Sequence, residues 1–218
     1  DQKTIPVLLI STWLLSPVFA VIINRTPKKA ISFSRDETQY LRILARRTWR
    51  YFDDLVTKKT NYLPPDHFQQ TTLSPISTRT SATDIGMYLT SIVSAFDLGF
   101  ISKQDLLDRF SQTLSTLSKL NLLHGHFFNW YDISTLHVMP PSYVSTVDSG
   151  NLACALLVSA KALSDLPLHN YNNTGQALDD LLTIAKQEAE PVLAAQLGRV
   201  QKTIRQDGSL DSIQGEII

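Results

Sequence analysis

Apolar side chains recur at three- and four-residue steps along most of the chain after residue 34, which is the spacing of amphipathic α-helices. Ser34 and Glu37 form a capping-box pattern at the start of the first stripe, and Gly99 stops the second. The pattern predicts helices at about residues 35–56, 85–96, 102–120, 149–163 and 177–202, the last interrupted by Pro191. Sustained period-two alternation is absent from the sequence, so we expect an all-α chain without a sheet.

Two long stretches separate these helices. Residues 61–83 are rich in proline, threonine and serine, and residues 124–147 are rich in aromatic and polar side chains. Loops of this length between packed helices are uncommon and usually functional. Short and long connections that alternate are typical of helical hairpins arrayed around an axis, as in an (α/α) toroid. Five helices cannot close a ring of six hairpins, so we expect residues 35–218 to be the N-terminal portion of such a toroid.

The first part of the chain is apolar, without a charged side chain from Thr4 to Asn24. Nineteen helical residues span about 28 Å, close to the hydrocarbon thickness of a bilayer. This predicts a transmembrane helix within residues 1–24, followed by a basic linker at 25–34 whose charges place the C-terminal side in the cytoplasm. A signal peptide and a buried soluble helix are the alternatives.

The composition excludes several kinds of partner and cofactor. The 20 basic and 20 acidic residues cancel, so no overall field recruits nucleic acid. Cys154 is the only cysteine, which excludes an internal disulfide, and its apolar neighbours predict a small core residue. The five histidines show no metal-ligand spacing, and we expect no metal or cofactor. The arginines of the first helix, at positions 42, 46, 47 and 50, are interpreted as solvated charges.

Two loop motifs carry candidate chemistry: residues 125–132 (Gly-His-Phe-Phe-Asn-Trp-Tyr-Asp) and 143–152 (Tyr-Val-Ser-Thr-Val-Asp-Ser-Gly-Asn-Leu). A sugar offers an apolar face and a rim of hydroxyls, so its site needs an aromatic platform beside carboxylates and amides. The candidate substrate-binding residues are Asn129, Trp130, Tyr131, Asp132, Asp148 and Asn151.

Structural roles are the alternative for the same residues. Trp130 and Tyr131 can close helix ends, and Asp148 or Ser149 can cap the fourth helix. A glycosidase acid/base pair of Asp132 and Asp148 requires carboxyl groups about 5 to 9.5 Å apart, which their sequence separation does not establish. Catalytic residues therefore stay unassigned. Other candidates in these loops have simpler roles. His124 and His126 are expected to pack within the loop rather than bind a metal. Residues 79–86 are expected to cap the second helix, and Arg79 can also reach a substrate oxygen.

The chain resembles the cyclic β-1,2-glucan synthases at the junction of their last membrane helix with the glycoamylase-like domain. The resemblance is carried by five motifs in the family's order, at residues 45–52, 61–69, 79–86, 125–132 and 143–152. It implies an (α/α)6-barrel fold and a bacterial inner-membrane enzyme that closes linear β-1,2-glucan by transglycosylation. The implied partners are β-1,2-glucan, the lipid bilayer and the remaining domains of the parent synthase. This chain would then be an inactive fragment lining a glucan-binding cleft.

Three positions depart from the family pattern: Ala82 and Asp84 stand where the family has Pro and Asn, and Phe128 where it has Tyr. These changes bear on substrate contacts and leave the fold intact. Two further hypotheses stay open, a membrane-tethered helical module that binds glycan or protein without catalysis, and an endo-β-1,2-glucanase-like hydrolase.

Overall fold

The helices of the chain follow the predicted apolar stripes. A computed structural model describes residues 4–24, 32–71, 73–166 and 174–207, and the chain divides into two units, Asp1–Glu37 and Thr38–Ile218. Most of the predicted basic linker, residues 25–31, lies outside the described residues. The helices are α1 (Thr4–Ile23), α2 (Arg35–Leu55), a short 3-10 helix (Lys58–Thr60), α3 (Ala82–Asp97), α4 (Lys103–Leu117), α5 (Thr146–Asp165), α6 (Thr174–Glu188) and α7 (Pro191–Asp207).

The first unit contains α1, an apolar helix with Pro17 inside it. The hydroxyls of Ser11, Thr12 and Ser16 donate hydrogen bonds to backbone carbonyls one turn earlier. Within the described ranges, no helix has the length and apolarity needed to cross a membrane. The predicted transmembrane helix at residues 1–24 is therefore not supported, and the placement of the chain at a bacterial inner membrane stays a prediction.

Side-chain caps mark the starts of α3 and α4, as residues 79–86 and Ser102 predicted, although α3 begins at Ala82, three residues before the apolar stripe at 85. Ser81 and Asp84 form a reciprocal capping box on α3, as Ser102 and Asp105 do on α4. The start predicted for α5 is wrong: its N-cap is Ser145, whose hydroxyl accepts from the backbone N–H of Asp148, so the helix begins three residues before Ser149. The hydroxyl of Ser149, the cap that the sequence suggested, instead donates to the Ser145 carbonyl inside the first turn of the helix. Pro191 opens α7, because proline is tolerated in a first turn.

Two short antiparallel ladders correct the expectation that the chain has no strands. β1 (Arg79–Thr80) pairs with β4 (Tyr131–Asp132), and β2 (Leu122–Leu123) pairs with β3 (His126–Phe127). Strands of two residues cannot produce an alternating pattern, so the sequence gives no signal for them. His124 and Gly125, both at positive φ, make the two-residue turn between β2 and β3.

The core of the second unit lies around α3. One face of α3 is buried, and Ile85, Leu89 and Ile92 are fully enclosed. Around it pack apolar side chains from α2, the loop after it, α4 and α5: Trp49, Phe52, Leu63, Leu106, Phe110 and Leu152. At about 25 cal/mol per Å² of apolar surface removed from water, this burial is the main stabilisation of the unit.

Cys154 is exposed, which corrects its predicted place in the core. The buried positions of α5 are Leu152, Ala155 and Ser159, which lie on one helical face at three- and four-residue steps. Cys154 lies off that face. The continuous apolar sequence around it therefore does not reflect burial.

Two of the four arginines of α2, Arg47 and Arg50, are exposed as the sequence predicted, but Arg42 and Arg46 are not solvated charges. Arg42 donates to the buried carboxylate of Asp180 in α6 at 2.8 Å and to the Leu98 carbonyl at the end of α3. Arg46 donates to the Phe100 carbonyl and lies over the Phe100 ring. These residues join α2 to α3 and α6, because carbonyls at a helix end attract cations. The spacing of charges along α2 could not reveal these partners, because they lie more than 50 residues away in the sequence.

Candidate functional site

The two long loops meet at the start of α3. The β1–β4 ladder places Arg79 opposite Asp132 and Thr80 opposite Tyr131. Further backbone hydrogen bonds tie the same segments together, from Asp66 N to Arg79 O and from Ile133 N to Thr78 O, both at 2.8 Å. The motifs that carry the family resemblance are therefore neighbours in space.

The N-terminal turns of α3 and α5 lie side by side in this region. Thr83 in α3 donates through its hydroxyl to Asp148 Oδ1 in α5 at 2.5 Å, and it accepts from the Asn151 side-chain amide at 3.0 Å. Gly86 permits this approach, because a Cβ there would lie 3.1 Å from Ala155 Cβ and 3.3 Å from Leu152 Cα. We call the polar cluster around these helix starts the α3–α5 site.

Asn129 lies at the centre of the α3–α5 site and is only 5% exposed. Its amide is oriented by its partners. The NH2 group donates to Asp148 Oδ2 at 2.8 Å, while the carbonyl oxygen accepts from Tyr143 OH at 2.9 Å and from the indole N–H of Trp130 at 2.6 Å. One side chain thus joins the aromatic loop to the start of α5.

Arg79 covers one face of Trp130. Its guanidinium carbon lies 3.9 Å from the centre of the Trp130 ring, a cation–π stack. Nε and Nη2 of Arg79 both donate to Asp66 Oδ2, at 3.1 and 3.0 Å, and His67 Nδ1 lies 2.8 Å from the same oxygen. Trp130 is partly buried, and Nη1 of Arg79 takes no part in the pair with Asp66.

The carboxyl groups of Asp66, Asp84 and Asp148 lie close enough to influence one another. Burial raises the pKa of Asp84, and the nearby carboxylates of Asp66 and Asp148 raise it further, against the opposing effect of the Ser81 hydrogen bonds. Burial, with the charges of Asp84 and Asp66, also raises the pKa of Tyr51 to about 12. The Tyr51 hydroxyl stays protonated and donates to the Pro65 carbonyl at 2.6 Å. The site is therefore dense in hydrogen-bond acceptors, as a binding site for hydroxyl groups requires.

The structure brings four of the six predicted residues together: Asn129, Trp130, Asp148 and Asn151. Tyr131 is 0% exposed; its hydroxyl donates to Asn121 O and accepts from Phe128 N–H. Because its ring is enclosed, Tyr131 is a core residue and not a platform, which corrects that expectation.

Asp132 is also occupied by its own loop. One carboxylate oxygen accepts from the backbone N–H groups of Ser134 and Thr135 and from the Thr135 hydroxyl. Burial alone would raise the pKa of Asp132, but these hydrogen bonds and the neighbouring His137 outweigh it, so the pKa lies below its ordinary value. A carboxylate held ionised in this way cannot serve as a general acid near neutral pH. Asp132 therefore shapes the loop.

Sequence reasoning missed Asp66, Thr83 and Tyr143 as members of the site. Each lies within a motif that carried the family resemblance, which was the available signal. Thr83 was read only as part of a helix start, because a single sequence does not show that α5 faces it. Among the described residues, no group of three or more His, Cys, Asp or Glu side chains is arranged to hold a metal.

Comparisons with known proteins agree with this fold and these motifs. A candidate glucoamylase structure from Bacteroides uniformis superposes with a TM-score of 0.50 at 18% identity, over 72% of this chain and 37% of that one. An endo-β-1,2-glucanase structure from Chitinophaga pinensis gives 0.47 at 16% identity, over 80% and 36% of the two chains. The first match defines the class: a mostly helical, glucoamylase-like fold.

A family model described as protein of unknown function (DUF3131) matches residues 43–156, more than half of the chain, and the chain belongs to this family. It is also 36% identical over 180 residues to the cyclic β-(1,2)-glucan synthase NdvB of Rhizobium meliloti. That match covers 80% of this chain and 6% of the synthase, so the chain spans a small part of its relative. The resemblance to the cyclic β-1,2-glucan synthases is confirmed.

Proposed function

We propose that this chain forms one wall of a glucan-binding cleft in an enzyme that processes β-1,2-linked glucan. The observation that carries the proposal is the convergence of Trp130, Asp148, Asn151 and Arg79 on the starts of α3 and α5. An aromatic face beside amide, carboxylate and guanidinium groups is the arrangement that a sugar ring with its hydroxyls needs. The similarity to a cyclic β-1,2-glucan synthase supports this substrate class.

The groups left unused inside the α3–α5 site suggest how a sugar is held. Asn151 is exposed and gives one N–H to Thr83, which leaves its second N–H and its carbonyl oxygen for a pair of adjacent hydroxyls. Trp130 has one face free of Arg79, and Arg79 has a free Nη1. Asp148 is fixed by Thr83 and Asn129 and accepts further hydrogen bonds through its remaining lone pairs.

The finer assignment is the ring-closing step: transglycosylation of a linear β-1,2-glucan within a larger parent enzyme. In this assignment the chain binds and orients the glucan, and the reacting carboxyl groups are supplied elsewhere in the parent. Two features of the chain support a binding role over a catalytic one. One carboxylate oxygen of Asp132 is held by its loop, and both oxygens of Asp148 accept hydrogen bonds from Thr83 and Asn129.

Titration with β-1,2-glucooligosaccharides, followed by calorimetry, tests the binding role. Trp130→Ala should weaken binding about tenfold or more, because removing a stacking ring costs roughly 1.4 kcal/mol. Trp13→Ala is the matched control, since Trp13 is 85% exposed on α1 and belongs to the other unit. Asn151→Ala should also weaken binding, through the hydroxyl contacts. Equal affinities for the unaltered chain and both site variants would disprove the cleft.

Activity of the parent enzyme separates the remaining hypotheses. Ring closure lost in Trp130→Ala and retained in Trp13→Ala supports transglycosylation. Net hydrolysis of linear β-1,2-glucan without cyclic product would indicate an endo-glucanase instead. Glycan binding with neither product would indicate a non-catalytic helical module.

A further inference from the structure

Asn129 has almost no surface through which to meet a ligand, although its sequence context made it a candidate contact. It is 5% exposed, and its amide makes three hydrogen bonds within the protein. An amide has two N–H groups and two lone pairs on its oxygen, so three of its four bonding positions are filled. Its partners Trp130 and Asp148, in contrast, keep groups that a sugar can use.

We propose that Asn129 is a positioning residue, which fixes the plane of the Trp130 ring and the orientation of the Asp148 carboxylate so that both meet one sugar unit. This inference rests on the proposed glucan-binding function. The Trp130 indole N–H is held at 2.6 Å and Asp148 Oδ2 at 2.8 Å by opposite ends of the same amide. Because the amide is planar and enclosed, neither partner can rotate without breaking a buried hydrogen bond.

The backbone adds to this constraint. The N–H of Asn129 donates to the Tyr143 carbonyl at 2.8 Å, and the Tyr143 hydroxyl returns to the Asn129 side chain at 2.9 Å. The loop after β3 is therefore joined to the segment that leads into α5 through both main chain and side chain. The other end of the site is fixed in the same way, because Thr83 holds Asp148 Oδ1 from α3.

Replacement by aspartate tests the proposal with little change in shape. In Asn129→Asp one oxygen still accepts from Trp130 and Tyr143, but the other faces Asp148 Oδ2 where the amide had donated. Two carboxylates at such a distance cannot both stay ionised, so the pair shares a proton and its apparent pKa rises. Within the described part of the chain, the ionisable groups near the pair include Tyr143, whose hydroxyl bonds to the residue 129 side chain. Asp84 and Asp66 disfavour a second negative charge, and Arg79 faces Trp130 and Asp66.

The expected signature is a pH-dependent defect. At pH 8, Asn129→Asp should bind β-1,2-glucooligosaccharides at least tenfold more weakly than the unaltered chain. At pH 5 the dissociation constants of Asn129→Asp and of the unaltered chain should become nearly equal, because the shared proton restores a hydrogen bond to Asp148. Asn129→Leu, which offers neither donor nor acceptor, should be defective at both pH values. Either variant carries the test if the other fails to fold.

Indole N–H resonances in an NMR spectrum of the full 218-residue chain report positioning directly. The Trp130 indole proton should move upfield in Asn129→Leu as its hydrogen bond is lost, and stay downfield in Asn129→Asp. Trp49 is an internal control, since its buried indole N–H has no partner among the described residues. Asn61→Asp is a matched stability control: Asn61 donates to the Ile133 and Ser134 carbonyls, and it should lower stability without pH-dependent loss of binding.

Two results would overturn the inference. One is a constant ratio of affinities between Asn129→Asp and the unaltered chain from pH 5 to pH 8. The other is an unmoved Trp130 indole proton in Asn129→Leu. If the unaltered chain binds no β-1,2-glucan, the proposed function fails, and the indole resonance still decides whether Asn129 positions Trp130.

Discussion

Replacing Gly86 by alanine tests the closest approach between α3 and α5. The added Cβ would lie 3.1 Å from Ala155 Cβ, 3.3 Å from Leu152 Cα and 3.5 Å from Asn151 O. Two of these atoms belong to the α5 backbone and the third is a methyl group, so no side chain can rotate out of the way. The two helices must separate by a few tenths of an ångström to admit the methyl group.

Two opposing effects determine the size of the change. Alanine in a helix interior is favoured over glycine by about 1 kcal/mol, whereas inserting a methyl group into a packed interface costs about 1–3 kcal/mol. Gly150 supplies a matched control in α5, because a Cβ there meets nothing within 4 Å. Gly150→Ala should therefore stabilise the chain by about 1 kcal/mol. The helix-propensity gain cancels between the two variants, so Gly86→Ala should be less stable than Gly150→Ala by about 1–3 kcal/mol.

Urea unfolding followed by tryptophan fluorescence measures this difference through the midpoint and slope of each transition. Glucan affinity is a second readout, since a shifted α5 moves Asn151 and Asp148 relative to Thr83. Gly86→Ala should bind more weakly, and Gly150→Ala should bind as the unaltered chain does. Equal stabilisation by both alanines would show that α3 and α5 do not approach as closely as described.

Three further predictions concern charged and ionisable groups. Asp180→Ala should destabilise the chain by about 3–5 kcal/mol in urea unfolding, because it leaves Arg42, whose side chain is 14% exposed, without its buried partner. Asp54→Ala is the control: it breaks an exposed ion pair of α2 and should cost less than about 1 kcal/mol. Similar losses of stability in the two variants would refute this reasoning. Asp132 has a lowered pKa in the folded state, so its contribution to stability is present above the unfolded pKa of about 3.9 and is lost as pH falls through the folded pKa. In Asp132→Asn the free energy of unfolding should therefore fall less steeply as the pH is lowered into the acid range. An unchanged pH dependence would contradict the lowered pKa of Asp132. Tyr51, with its pKa raised to about 12, should ionise well above pH 10 in an ultraviolet titration, and its contribution to stability should be lost as pH rises from about 10 through 12. A Tyr51→Phe difference spectrum that develops near pH 10 would argue against its burial.

The sequence predicted the helices best where a cap and a stripe coincide. Ser81 and Ser102 each stand three residues before an acidic residue and just before an apolar run, and both begin helices in the structure. Such local signals depend on backbone geometry within one turn, which a single sequence records. The start of α5 was placed too late because Ser145 and Ser149 both offer a capping hydroxyl; in the structure Ser145 caps the helix, and Ser149 donates to the Ser145 carbonyl within its first turn.

The candidate site was predictable in composition but not in its connections. Trp130, Asp148 and Asn151 stand in motifs suited to sugar binding, and the structure brings them together. The burial of Tyr131 could not be foreseen, because adjacent aromatic residues look alike in sequence, although Tyr131 in β4 is fully enclosed and Trp130 just before it is only partly buried. Likewise, the pairing of Arg42 with Asp180 joins residues far apart in the chain and leaves no local pattern.

The Arg79–Trp130 stack also has a consequence for the direction from which a polysaccharide can arrive. With a cation seated on one side of the indole, a sugar that stacked on Trp130 would have to use the opposite side. Because the guanidinium is itself anchored by Asp66, that blockade is part of the resting architecture and does not wait for the ligand.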